Sequence, residues 1–126
     1  MTKKLTLAID FDGTIVYNDY PRIGPIRPGA RKAINTLYQK GHHIIIWTSR
    51  SVEMVEHARK FLIDNDIMFH SINESNPEHV QEYGGDTRKI FADLYIDDRA
   101  LFPLVNWDEI ELRVSLHALK QYEQEI

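Results

Sequence analysis

Residues 5–15, LTLAIDFDGTI, constrain this chain most: an apolar run ends abruptly in two carboxylates and a glycine. Leu5, Leu7, Ala8 and Ile9, interrupted only by Thr6, read as a short parallel strand with both faces covered. Open α/β sheets hold their ligands beyond the carboxyl ends of such strands, which is where Asp10 and Asp12 fall. Strand alternation points both to one side and turns Phe11 away. Two like charges that close repel, so the pair needs a cation between them or a raised pKa on one. Gly13 supplies a tight turn and Thr14 a hydroxyl to lock it. The plain alternative is an Asp-Gly hairpin. It requires an antiparallel strand at once, whereas the sequence continues YNDYPRIGPIRPG, read as a Pro/Gly-rich loop.

With 126 residues the chain is expected to be one domain spanning residues 1–126, long enough to bury a core without staples. The absence of Cys excludes disulfides, thiol chemistry and a Cys-based zinc site. It is compatible with a reducing cytosol, and a cytoplasmic location is expected. The apolar run after Lys3 and Lys4 is too short for a signal sequence, and no stretch approaches a membrane span. A net charge of −4 argues against a broad nucleic-acid-binding face, though not against a local basic pocket.

Beyond the loop over 16–28, Pro28 stands at a first helical turn, and Ala30, Ala33, Ile34, Leu37 and Tyr38 follow at helical spacing up to Gly41. His42 and His43 lead into a second strand, Ile44 to Trp47, which stops at Thr48-Ser49-Arg50. Ser51 can cap a helix striped by Val52, Val55, Ala58, Arg59 and Leu62 and ended by Asp64-Asn65-Asp66. Ile67 to Phe69 read as a short third strand. Residues 71–86 have no strong periodicity and are expected to be a functional or mobile loop. Ala92 to Ile96 form a fourth strand ending in Asp97-Asp98-Arg99. The last helix starts at Asn106 or Asp108, with Ile110, Val114 and Ala118 joined by Leu112, Leu116 and Leu119 in a wide apolar face. The order β-α-β-α-β-β-α predicts a single doubly wound, Rossmann-like parallel sheet flanked by helices.

Three strands therefore end in polar clusters: Asp10/Asp12, Thr48/Ser49/Arg50 and Asp97/Asp98/Arg99. Parallel strands share one carboxyl edge, so the three can converge. Several carboxylates without His or Cys suit a hard cation such as Mg²⁺. A carboxylate beside such an ion can attack phosphorus, while a hydroxyl and a cationic side chain hold the equatorial oxygens.

Asp10-Phe11-Asp12-Gly13-Thr14 resembles the first motif of the haloacid dehalogenase (HAD) superfamily. The strand ending in Thr48 resembles its second motif, Lys89 its third, and Leu94-Tyr95-Ile96-Asp97-Asp98 its fourth. The resemblance implies a HAD-like fold and an Mg²⁺-dependent phosphatase. In it Asp10 is the nucleophile, and Asp12 protonates the leaving group and then activates water. Thr48 and Lys89, with Gly13, Ser49, Arg50 and Arg22, would serve the phosphoryl group, Arg88 being the rival to Lys89. Asp10, Asp12 through its main-chain carbonyl, Asp97 and Asp98 would hold the metal. Thr48-Ser49-Arg50 and Gly85-Asp86-Thr87-Arg88-Lys89 are also similar to elements of polynucleotide 3′-phosphatase domains. The implied partner is a phosphorylated substrate, either a small molecule such as a nucleotide or sugar phosphate, or a nucleic-acid end. Neither interval between motifs is long enough for a cap domain, so an open site is expected, closed if at all by 16–28 and 71–86.

Other residues have plainer readings: Trp47 as core, His42-His43 as a strand entrance, Arg99 as the partner of a nearby carboxylate. Tyr17, Tyr20 and Tyr83 lie in loops that would flank the site and could stack on a base or sugar. Two other classes compete with the phosphatase. One is a phospho-acceptor signalling domain, which places its phosphorylated Asp on a later strand. The other is a regulatory protein with the fold but no turnover, although no motif position here is lost.

Overall fold

A computed structural model describes residues 2–125. Strand β1, Thr6–Ile9, is buried along its whole length and pairs in parallel with two neighbours, as a both-faces-covered strand must. On one side is β4, His43–Ile46, and beyond it β5, Ser71–Ile72; on the other is β6, Leu94–Ile96. The resulting order β5-β4-β1-β6 is all parallel, which the helical crossovers require. The chain thus has the α/β, Rossmann-like architecture that its periodicity implies.

The two faces of the sheet are covered unequally. Leu7 lies beside Ile44, and Ile9 beside Ile46, so these four share one face. They form the main core with helices α1 (Ala30–Gln39), α2 (Val52–Asp64) and α4 (Trp107–Glu125). Ala8 and Ile45 face the other way and meet Ile90, Ala92 and the half-buried Trp47. There Thr6 Oγ1 accepts a bond from Asn76 Nδ2 at 3.1 Å, which brings the short helix α3 (Pro77–Tyr83) onto that face.

Helix ends follow local chemistry. The Ser51 hydroxyl accepts the Met54 N–H, Asn76 accepts the Glu78 N–H with Pro77 at the first helical position, and Asn106 accepts the Glu109 N–H.

Several boundaries differ from the expectation. Residues 16–28 are not an irregular loop: β2 (Val16–Asp19) and β3 (Arg22–Ile26) form an antiparallel hairpin beyond the Gly13 turn. Its prolines are tolerated because Pro21 lies at the tip and Pro25 on an exposed strand with no neighbour beyond β2. The third strand lies later than Ile67–Phe69; Asp66 turns with φ 56° and Ile67 merely plugs the core before the chain pairs at Ser71. Residues 71–86 contain β5 and α3, the latter ending at Gly84 with φ 80°. The fourth strand begins at Leu94, two residues late, because Asp93 instead accepts the Thr6 N–H at 2.7 Å.

On α4 only Trp107, Ile110, Val114 and Ala118 are buried; Leu112, Leu116 and Leu119 lie on the solvent side, Leu112 being 59 % exposed. Val52 is likewise exposed at the start of α2. No helix among the described residues is long and apolar enough to cross a membrane.

Candidate active site

The turn after β1 is wound around one acceptor: the N–H groups of Thr14, Ile15 and Val16 all reach the Phe11 carbonyl, at 3.3, 3.0 and 3.3 Å. Gly13 sits at φ 93°, where a side chain is strained, and any Cβ would collide with the Asp98 carboxylate. The Thr14 carbonyl accepts the buried Trp107 indole N–H at 2.9 Å, tying the turn to α4. Backbone and core together therefore fix the positions of Asp10, Asp12 and Thr14.

Thr14 also joins two strand ends. Its hydroxyl accepts the Asp98 N–H at 3.0 Å and lies 2.9 Å from Asp10 Oδ2 and 3.1 Å from Asp98 Oδ1, so its single proton serves one carboxylate at a time. Asp10, Asp97 and Asp98 each offer an oxygen within 4.8 Å of the others. Burial, and next the charge of Asp97, push the Asp10 carboxyl up to about 7. Burial disfavours the charged form, and the neighbouring negative charge adds to that effect. A cation among the three would remove the repulsion, and an all-oxygen donor set suits a hard one.

Asp12 lines the same cavity as Asp10, on the alternation expected, but its carboxylate belongs to a second unit. Arg50 Nε and Nη2 donate to its two oxygens, each at 2.7 Å. The Arg50 side chain is 1 % exposed and also donates to the carbonyls of Pro21 (3.2 Å) and Arg22 (3.0 Å) at the hairpin tip. Arg50 lines the carboxylate cavity as well, with its guanidinium engaged in holding Asp12 and the hairpin. Each Asp12 oxygen keeps a further lone-pair direction for a proton or water.

Thr48 and Ser49 line the cavity from the end of β4. The Thr48 N–H donates to Asn73 Oδ1 and its carbonyl accepts from Asn73 Nδ2, both at 2.9 Å, while its hydroxyl accepts the Arg50 N–H at 3.2 Å. Asn73, which sequence reasoning did not single out, holds the main chain of Thr48 from a left-handed conformation, φ 56°, that an Asn side chain tolerates.

Other expected residues are not brought together. Lys89 is exposed, with Nζ 5.3 Å from the centre of the Tyr95 ring on the thinly covered face of the sheet, outside the carboxylate cavity. Arg88 is also exposed and lines no part of that cavity. Asp86 accepts from the Ser75 hydroxyl and the Thr87 N–H, so it shapes its own turn. Arg22 points into solvent and pairs with Asp19 at 3.1 Å. His79 stacks on Tyr83 and packs at a tilt against Phe91, outside the carboxylate cavity.

The cavity over the carboxylates has a volume of about 780 Å³ and is walled further by Asn18, Tyr20, Trp47 and Arg99. Arg99 does not pair with a carboxylate: among the described residues its guanidinium has no partner, and only its main-chain N–H bonds to Asp97.

A family model for haloacid dehalogenase-like hydrolases matches residues 7–107. The chain is also similar to a solved structure of a conserved protein from Bacteroides thetaiotaomicron. The two are 36 % identical with a TM-score of 0.82, the match covering 91 % of this chain and 93 % of that one. No curated protein matches.

Proposed function

The chain belongs to the haloacid dehalogenase-like hydrolases, and on that premise we propose that it is a capless, Mg²⁺-dependent phosphomonoester hydrolase working through an aspartyl-phosphate on Asp10. The observation that carries the reading is the meeting of Asp10, Asp97 and Asp98 beside an Arg50-held Asp12. The carboxylates fit Mg²⁺, with the Asp12 main-chain carbonyl as a further ligand. Bound there, the ion would offset their charge and polarise the phosphoryl oxygens.

The chain's own groups divide the work as follows. An Asp10 carboxylate oxygen forms a bond to phosphorus as the ester P–O bond breaks, and Asp12 gives its proton to the departing oxygen. Asp12 then takes a proton from water, whose oxygen bonds to phosphorus and releases phosphate and Asp10. The Thr48 and Ser49 groups and the Gly13 turn line the position of the equatorial oxygens. Arg50 orients Asp12. Lys89 reaches the phosphoryl group through movement of the exposed segment 84–89, with Arg88 as the competing cation; Arg22 flanks the entrance on the hairpin.

Phosphate release from a panel of phosphomonoesters, with Mg²⁺ and with EDTA, tests the reading. Release should require Mg²⁺ and fall about a thousandfold or more in Asp10→Asn, as nucleophile removal does elsewhere. Full activity in Asp10→Asn, or activity indifferent to EDTA, would refute it.

A further inference from the structure

Beyond Ile72 the pairing of β5 with β4 continues through a side chain. The Asn73 N–H still donates to the Ile46 carbonyl at 2.9 Å, but at φ 56° the main chain then turns away from the ladder. The Asn73 side chain takes over, because an amide offers an acceptor and a donor side by side, as a peptide does. Its Oδ1 accepts the Thr48 N–H and its Nδ2 donates to the Thr48 carbonyl, each at 2.9 Å. Asn73 thus adds one more rung at the end of β4, although it lines no part of the carboxylate cavity.

This grip fixes what Thr48 and Ser49 have left to offer. In a trans peptide the carbonyl and the following N–H point in opposite directions. With the Thr48 carbonyl held toward Asn73, the Ser49 N–H is turned away from it, and among the described residues that N–H has no partner. The Thr48 hydroxyl oxygen accepts the Arg50 N–H at 3.2 Å, which leaves the hydroxyl proton to be donated elsewhere. Both residues line the cavity over Asp10. Unspent donors held in place before reaction are what charge developing on phosphoryl oxygens requires.

We propose that Asn73 is a positioning residue of the active site: by clamping the Thr48 main chain it aims the Thr48 hydroxyl and the Ser49 N–H at the phosphoryl group. It acts on the rate without touching substrate or metal. The role rests on the phosphatase reading for its reaction, but is separate from that of the carboxylates beyond β1 and β6.

Asn73→Gly is the informative substitution, because glycine adopts φ 56° without strain and keeps the main-chain N–H, so only the two side-chain bonds are lost. In hydrolysis of p-nitrophenyl phosphate at saturating Mg²⁺, kcat and kcat/KM should fall together about tenfold to a hundredfold with little change in KM, as when a donor is misplaced in the transition state. The Mg²⁺ concentration giving half the maximal rate should not change. In a Thr48→Ala background the same substitution should cost about half as much or less on a logarithmic scale, since one of the two groups it aims is already gone. Asn73→Asp also tolerates the left-handed conformation and keeps the acceptor for the Thr48 N–H, but loses the donor to its carbonyl. It should lower kcat in the same way, and it carries the test if Asn73→Gly does not fold.

Wild-type kcat in both variants overturns the positioning role and leaves the phosphatase standing. So does a rise in KM alone, a change confined to the Mg²⁺ requirement, or an equal loss with and without the Thr48 hydroxyl. Wild-type protein that hydrolyses no phosphomonoester overturns the phosphatase reading itself, and the role of Asn73 with it.

Discussion

Removal of Arg50 should cost this fold more than removal of any other charge described here. Its side chain is 1 % exposed, that of Asp12 is 17 % exposed, and both hydrogen bonds between them are 2.7 Å long. Arg50→Met leaves the Asp12 carboxylate and the carbonyls of Pro21 and Arg22 without their donor. Breaking one side of a buried pair costs roughly 3–5 kcal/mol, and for a chain of this size that lowers Tm by about 10–20 °C. Arg50→Lys keeps the charge but not the fork, so one charged hydrogen bond is lost at roughly 1.5–3 kcal/mol.

Urea denaturation of the single variants and of Arg50→Met combined with Asp12→Asn closes a double-mutant cycle. If the pair is what Arg50 holds, the cost of Arg50→Met falls by about 1.5–3 kcal/mol when Asp12 is already Asn. Arg22→Ala, on the exposed pair with Asp19, is the control and should leave the midpoint where it is. The reasoning is refuted if Arg50→Met costs less than about 1 kcal/mol, or costs the same in both backgrounds.

Two further outcomes follow from the same geometry. Gly13→Ala puts a methyl group against Asp98 at a φ of 93°; it should destabilise the protein by about 1–2 kcal/mol and weaken the Tm increase expected with Mg²⁺, and an unchanged Mg²⁺ response in differential scanning fluorimetry would contradict the proposal that Asp98 holds the metal. Burial, then Lys4 and Lys40, hold the His42 imidazole below its ordinary range, and its Nδ1 accepts the Leu5 N–H at 3.1 Å. A folded-state pKa below the unfolded one makes acid favour unfolding, so its contribution is complete above about pH 6.5 and is lost as pH falls from there; urea midpoints should drop less between pH 7 and pH 5 in His42→Asn, which keeps an acceptor but cannot be protonated.

What short stretches encode by themselves was legible. Leu5 to Ile9 is apolar at nearly every position because a central parallel strand meets core on both faces, and neighbouring residues alone carry that pattern. The caps at Ser51 and Asn106 are equally local, each side chain bonding an N–H three residues on. The carboxylates were legible for a related reason: a parallel sheet has one carboxyl edge, so strand ends far apart in sequence meet once the architecture is known.

What each side chain does at that edge was not. Arg50 reads as a phosphate ligand, but that Asp12, 38 positions away, takes both ends of its fork under the hairpin of residues 16–26 is a contact no local pattern shows. Lys89 reads as a site cation from its motif, but that its ammonium lies over Tyr95, outside the carboxylate cavity, follows only from the fold. Trp47 reads as core, yet it is only partly buried there, and Arg99 reads as paired although no carboxylate among the described residues bonds its guanidinium. A local pattern sets which face a residue occupies, but its partner is chosen among groups brought close by the whole fold. At a site crowded with charge, that competition is decided only by tertiary structure.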